Sequence, residues 1–111
     1  MMIANLFEGI PAELPEELFT PLLTQGGVKL ERIVSRGHVT PEGEWFDQED
    51  GEWVAVLKGE ARLEIEGRED VSLGPGDHLF LPAHRRHRVA WTDPDQETVW
   101  IALFVPSEAS A

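Results

Sequence analysis

Cysteine is absent from this chain, and that absence removes several chemistries at once. No disulfide can staple the fold, no thiolate can grip a metal, and no cysteine can act as a nucleophile. A metal site would have to draw on His, carboxylate and amide donors. Positive charge is scarce too: 9 Lys and Arg stand against 21 Asp and Glu, for a net charge of −12. A surface that acidic repels phosphate backbones and anionic lipid, which argues against nucleic-acid binding and against a peripheral membrane role. Long apolar runs are missing, and the N-terminus lacks a charged stretch followed by an apolar one. Neither a membrane span nor a secretory leader is therefore expected, and the cytoplasm is the default location.

What remains is enough for one compact unit. A length of 111 residues predicts a single domain, and an apolar fraction of 41% can fill one interior. Four tryptophans add large apolar area to that core. The small, polar end from Ser107 to Ala111 is expected to lack order.

The pattern along the chain is that of many short strands. Between Pro15 and Thr20 the sequence predicts a short helix of one or two turns, opened by proline and stopped by Pro21, serving as a cap. Gly26-Gly27 then breaks the chain. From Val28 to Val34 an imperfect period of two begins. Glu52 to Lys58 is apolar on both faces, as in a strand covered on both sides. Ala61, Leu63 and Ile65 alternate cleanly with Arg62, Glu64 and Glu66. Turns at Gly67–Asp70, Gly74–Asp77 and Asp93–Asp95 separate further strands at Val71–Leu73, His78–Leu81, His87–Thr92 and Thr98–Val105. Many strands, frequent turns and almost no helix predict an all-β barrel or sandwich.

Two segments carry a more specific message. Glu52 is followed, after six residues, by Gly59. Counting back from Glu52 across three residues places Gln48, then Phe46, and Thr40 at the head of the pattern. Further on, Gly76, Pro82 and His87 fall at fixed spacing, with His84 and Trp91 in register between and beyond them. This pair of segments resembles the two motifs of the cupin superfamily, over Thr40 to Trp91. The first of those motifs has Gly, two His, Glu and Gly in register, and the second has Gly, Pro, Gly, His and Asn. The chain keeps the Glu as Glu52 and the last His as His87. It departs by Thr40 for Gly, Phe46 and Gln48 for the two His, His84 for Gly and Trp91 for Asn.

The resemblance implies a small cupin β-barrel, or jelly roll, spanning 1–111. It also implies an interior divalent metal (Zn, Fe, Mn, Ni or Co), held by Gln48, Glu52 and His87 with His84 completing or flanking the set. Asp47 is an alternative to His84, but strand alternation sets it on the face opposite Gln48 unless the strand bulges. His84 has a plainer reading as a turn former, because His tolerates positive φ. Gln48, Glu52 and His87 have a metal-free reading as a hydrogen-bonded polar trio. Phe46 and Trp91 are expected to wall a small-molecule pocket, since Trp91 lies an even number of residues past His87 and so on its face. Arg86, at the pocket mouth, is a candidate clamp for a carboxylate-bearing ligand; the alternative is that Arg85, Arg86 and Arg88 pair with surface acids.

Two functions follow from this reading. One is a metal-dependent enzyme or metalloprotein of unknown substrate, and the other is a non-catalytic module that binds a small molecule without metal. The apolar second faces of Trp53–Leu57 and Val99–Val105 predict a homodimer.

Overall fold

A computed structural model describes residues 1–107, so the expectation for the tail beyond Ser107 lies outside the described residues. Eight strands follow one another: β1 Leu18–Gln25, β2 Val28–Ser35, β3 Gly51–Lys58, β4 Ala61–Ile65, β5 Val71–Leu73, β6 His78–Leu81, β7 His87–Thr92 and β8 Thr98–Val105. They form two antiparallel sheets, a larger one in the order β1-β2-β8-β3-β6 and a smaller one in the order β5-β4-β7. The strand predictions from β2 onward hold to within a residue or so, because turn residues bound each run and every interior face is half apolar.

The two sheets face one another. Val54, Val56, Leu81, Trp100 and Ala102 of the larger sheet pack against Ala61, Leu63, Ile65 and Leu73 of the smaller one. At about 25 cal/mol per Å² of apolar surface removed from water, such side chains supply the main drive for closing the sandwich. The clean alternation in β4 is the pattern expected of a sheet with one wet face: Ala61, Leu63 and Ile65 are buried while Arg62 is exposed.

The expected N-terminal helix is not there; no helix occurs among the described residues. Leu18 to Gln25 instead form β1, which pairs with β2 across Gly26 and Gly27. Both glycines have positive φ, 58° and 80°, which is what a two-residue hairpin turn with the twist of its flanking strands requires. Pro21 is tolerated because β1 is the edge of the sheet and the register slips between Pro21 and Leu23. The N-terminal segment ahead of β1 is fastened by Arg32, whose guanidinium donates to the carbonyls of Leu6 (3.0 Å) and Glu8 (2.6 Å). No helix is long and apolar enough to cross a membrane among the described residues.

Candidate functional site

The interior is not filled. A cavity of about 570 Å³ opens between the sheets, floored by Val54, Leu63, Val89 and Trp100 and reached past Phe46, Glu49 and Asp50. Its polar centre comes from three separate parts of the chain.

Glu52 is the second residue of β3, on the same inward face as Val54 and Val56. β3 lies between β8 and β6, where Glu52 is opposite Phe104 and Leu81, so its carboxylate has nowhere to go but inward. His87 opens β7 in the other sheet, opposite Ile65, and is buried. Gln48 arrives on the loop before β3. That loop is tied down by backbone hydrogen bonds: Phe46 and His87 exchange a pair (2.8 and 3.1 Å), Thr40 N–H donates to Val89 (3.0 Å), and His84 N–H donates to Gln48 (2.7 Å).

The three side chains meet. Gln48 donates its amide Nε2 to Glu52 Oε1 at 3.0 Å. His87 Nε2 lies 3.4 Å from the same carboxylate oxygen. The other ring nitrogen of His87 lies 2.9 Å from the Arg85 carbonyl, which can only accept, so Nδ1 carries a hydrogen and Nε2 is the nitrogen that faces the cavity. Burial by itself pulls the His87 pKa down. The hydrogen bond with Glu52, the Arg85 carbonyl and the negative charge of Glu52 outweigh that, and the value lies above the ordinary 6.5. The Phe46 ring sits against the imidazole, centroids 5.6 Å apart, and fixes its plane from the mouth side. An Nε2 lone pair aimed at a carboxylate is repulsive unless something positive stands between them. A proton satisfies that demand, and so does a metal cation. Glu52 and His87 therefore fit a divalent ion as one carboxylate and one imidazole, and Gln48, whose nitrogen here faces Glu52, would add an amide oxygen on turning its amide over. The set has few strong ligands: among the described residues no group of three or more His, Cys, Asp or Glu is placed to hold a metal.

Other residues singled out from the sequence lie elsewhere. His84 is exposed, its ring 2.8 Å from Asp47 and away from the cavity. Its φ of 61° makes it the turn former at the end of the Pro82 loop. Asp47 points outward with it. Arg86 is not among the residues that line the cavity; it pairs with Glu66 at 2.8 Å and lies over the Trp45 ring at 5.2 Å. Arg88 pairs with Glu64 at 3.0 Å and donates to the Thr40 carbonyl at 2.8 Å.

Trp91 also leaves the pocket. The register of β7 on β4 runs His87↔Ile65, Arg88↔Glu64 and Val89↔Leu63, then jumps to Trp91↔Arg62 and Thr92↔Ala61. The extra residue at Ala90 is a β-bulge that reverses the alternation. Val89 therefore lines the cavity, Thr92 is buried, and Trp91 lines a separate outer cleft beside Arg62 and Asp77.

Sequence reasoning missed one wall. Lys29, Glu31 and Ile33 line the cavity from β2, and Glu17 and Phe19 from β1 and the residue before it. The period of two in β2 was visible, but its more apolar face, Val28, Leu30 and Val34, is not the one that lines the cavity. The polar set looked like the wet side.

Comparisons with known proteins show the family and the fold. The family described as "Cupin domain" matches residues 34–104, and the chain belongs to it. A structure from Ralstonia eutropha JMP134, whose name carries a provisional assignment as a mannose-6-phosphate isomerase, is 45% identical. It superposes with a TM-score of 0.93 over 96% of this chain and 100% of that one. A cupin superfamily protein from Desulfitobacterium hafniense DCB-2 shares the fold at 18% identity, TM-score 0.73, with 88% and 84% of the two chains covered. An RmlC-like cupin from Desulfovibrio desulfuricans does so at 17% identity and TM-score 0.75, covering 96% and 98%. No curated protein matches the chain.

Proposed function

We propose that this cupin binds a small organic molecule in its interior cavity, over a divalent metal held by Gln48, Glu52 and His87. The observation that supports it most is the convergence of these three residues on one point of the cavity, with His87 Nε2 turned to Glu52 at 3.4 Å. Three protein donors leave coordination positions open for a ligand. When bound, such an ion supplies Lewis acidity toward an oxygen of the bound molecule. The chain's own residues do the rest. Phe46 and the apolar floor supply the contact surface for a ligand, the Arg85 carbonyl holds the tautomer and angle of His87, and Gln48 keeps Glu52 oriented.

A second reading has a specific observation in its favour. One imidazole and one carboxylate are a thin ligand set, Phe46 stands where the superfamily motif has a histidine, and a proton on His87 satisfies Glu52 without metal. On that reading the protein is a metal-free binding module. Elemental analysis of untagged protein, before and after supplementation with each of Zn, Fe, Mn, Ni and Co, separates the two. The metal reading expects a near-stoichiometric ion that is lost in His87→Ala. No bound metal under any supplementation would leave the binding module.

The relative's provisional name makes mannose 6-phosphate a ligand to try. The cavity walls argue against it, because Arg86 and Arg88 are occupied by Glu66 and Glu64 outside the cavity. The apolar outer face of β3 and β8, with Trp53, Leu57, Ile101, Leu103 and Val105 only partly covered, supports pairing of two copies through this sheet. Analytical ultracentrifugation tests that point directly.

A further inference from the structure

Glu31 lines the cavity, its side chain only 9% exposed, yet no hydrogen-bond donor among the described residues reaches its carboxylate. Its one partner is the half-exposed ammonium of Lys29, two residues along the same strand and 3.6 Å away, beyond hydrogen-bond distance. Its oxygens are not sealed from the cavity, so in the absence of a protein donor that carboxylate draws its hydrogen bonds from whatever the cavity holds. Glu52, the other buried carboxylate of the cavity, is better served, by Gln48 and His87. Neighbouring walls add to the charge. Glu17, Glu49, Asp50 and Glu52 also border the cavity, and among the described residues no arginine does.

The position of Glu31 is informative. β8 separates β2 from β3, with Glu31 beside Ala102 and Glu52 beside Phe104 in the next row. Two strand spacings across and two residues along, about 12 Å in all, therefore separate the backbone of Glu31 from that of Glu52. Both carboxylates border the same cavity, with Val54 and Phe104 on the wall between them.

We infer that Glu31 is a second recognition pole, which receives a cationic, amine-bearing group of a small molecule whose other end lies over Glu52 and His87. The inference deepens the small-molecule reading above and needs that cavity to bind a ligand, but it does not need the metal. Five carboxylates around one lysine favour a cation over a neutral polyol, and a polyol over an anion.

The test is a thermal-shift and calorimetric panel on wild-type protein, Glu31→Gln and Lys29→Met, each with and without EDTA. The probes are putrescine, choline and glucosamine as cations, glucose and glycerol as neutral molecules, and citrate and inorganic phosphate as anions. Expected are stabilisation by at least one amine, weakening of that amine by tenfold or more in Glu31→Gln, tightening in Lys29→Met, and no effect of the anions. Glu31→Gln, which keeps shape and removes charge, should melt at or above the wild-type temperature.

Binding of the anions, failure of every amine to bind up to its solubility limit, or a lower melting temperature for Glu31→Gln would each overturn the inference. Amine binding that depends on Glu31 and survives EDTA, in protein with no metal, would sink the metal-centred reading and leave this one standing. Stoichiometric metal lost in His87→Ala, with no amine bound, would do the reverse.

Discussion

Val54 and Val56 stand on the same strand, on the same inward face, and both are buried. One lines the cavity and the other is sealed behind it. Truncating each to alanine therefore asks whether the hollow is present in solution. Both variants lose two methyl groups' worth of burial, at about 0.8 kcal/mol per group, so about 1.6 kcal/mol is common to them. Val56→Ala also leaves a new void. Two methyl groups on the order of 40 Å³, at about 24 cal/mol per Å³, add roughly 1 kcal/mol. Val54→Ala only widens a space that solvent already enters, and escapes most of that second cost. The expected losses are about 2.5 kcal/mol for Val56→Ala and about 1.5 kcal/mol for Val54→Ala. Urea unfolding followed by tryptophan fluorescence measures both, provided the m-values agree with wild type. Equal losses, or a larger one at Val54, would mean that the cavity is closed in solution, and the ligand-binding argument would fall with it.

Three other outcomes are expected. In metal-free protein, the raised pKa of His87 means that the folded state favours the imidazolium, so its contribution to stability is full below pH 6.5 and is lost as pH rises through the folded value. The melting temperature should fall across that window relative to Glu52→Gln, whose profile lacks the carboxylate's part; parallel profiles would show that Glu52 is not the cause. Gly59→Ala should destabilise by about 2 kcal/mol or more, since the residue has φ 86° and an added Cβ would meet Thr98 Oγ1 at 2.5 Å and the Glu97 carbonyl at 2.6 Å; a melting curve unchanged from wild type would refute the packing described there. His84→Gly should hold or raise stability by up to about 1 kcal/mol, because it relieves a left-handed backbone at the cost of an exposed contact with Asp47. It should leave metal content as in wild type, and loss of metal would return His84 to the ligand set.

The sheets were legible because their strands are short, bounded by Gly, Pro and Asp, and apolar on at least one face. β1 was not, since proline at 21 reads as a helix stop unless one knows that the strand lies at an edge. The site was legible where spacing along the chain survives folding unaltered. Gln48 and Glu52 are four residues apart across a short turn, and His87 begins its strand. It was not legible where a single extra residue intervenes: nothing in the run Val89-Ala90-Trp91 announces a bulge, yet the bulge decides that Trp91 faces away. The arginines show a different limit. Arg86 and Arg88 find Glu66 and Glu64 only because β7 runs beside β4, and that neighbour relation is long-range. Glu31 was overlooked because a charged residue in a strand is ordinarily assigned to water, and here the sheet encloses a space that can hold it.

At Phe46 and Gln48 the loop is held by hydrogen bonds between main-chain atoms, to His87 and to His84, while Thr40 and Arg88 add side-chain ties further upstream. The hydrogen bonds at those two positions do not depend on the side chains displayed there. Histidines could be installed at either place without breaking those main-chain bonds, so two codons would suffice to add donors beside Glu52 and His87 while the architecture stays put.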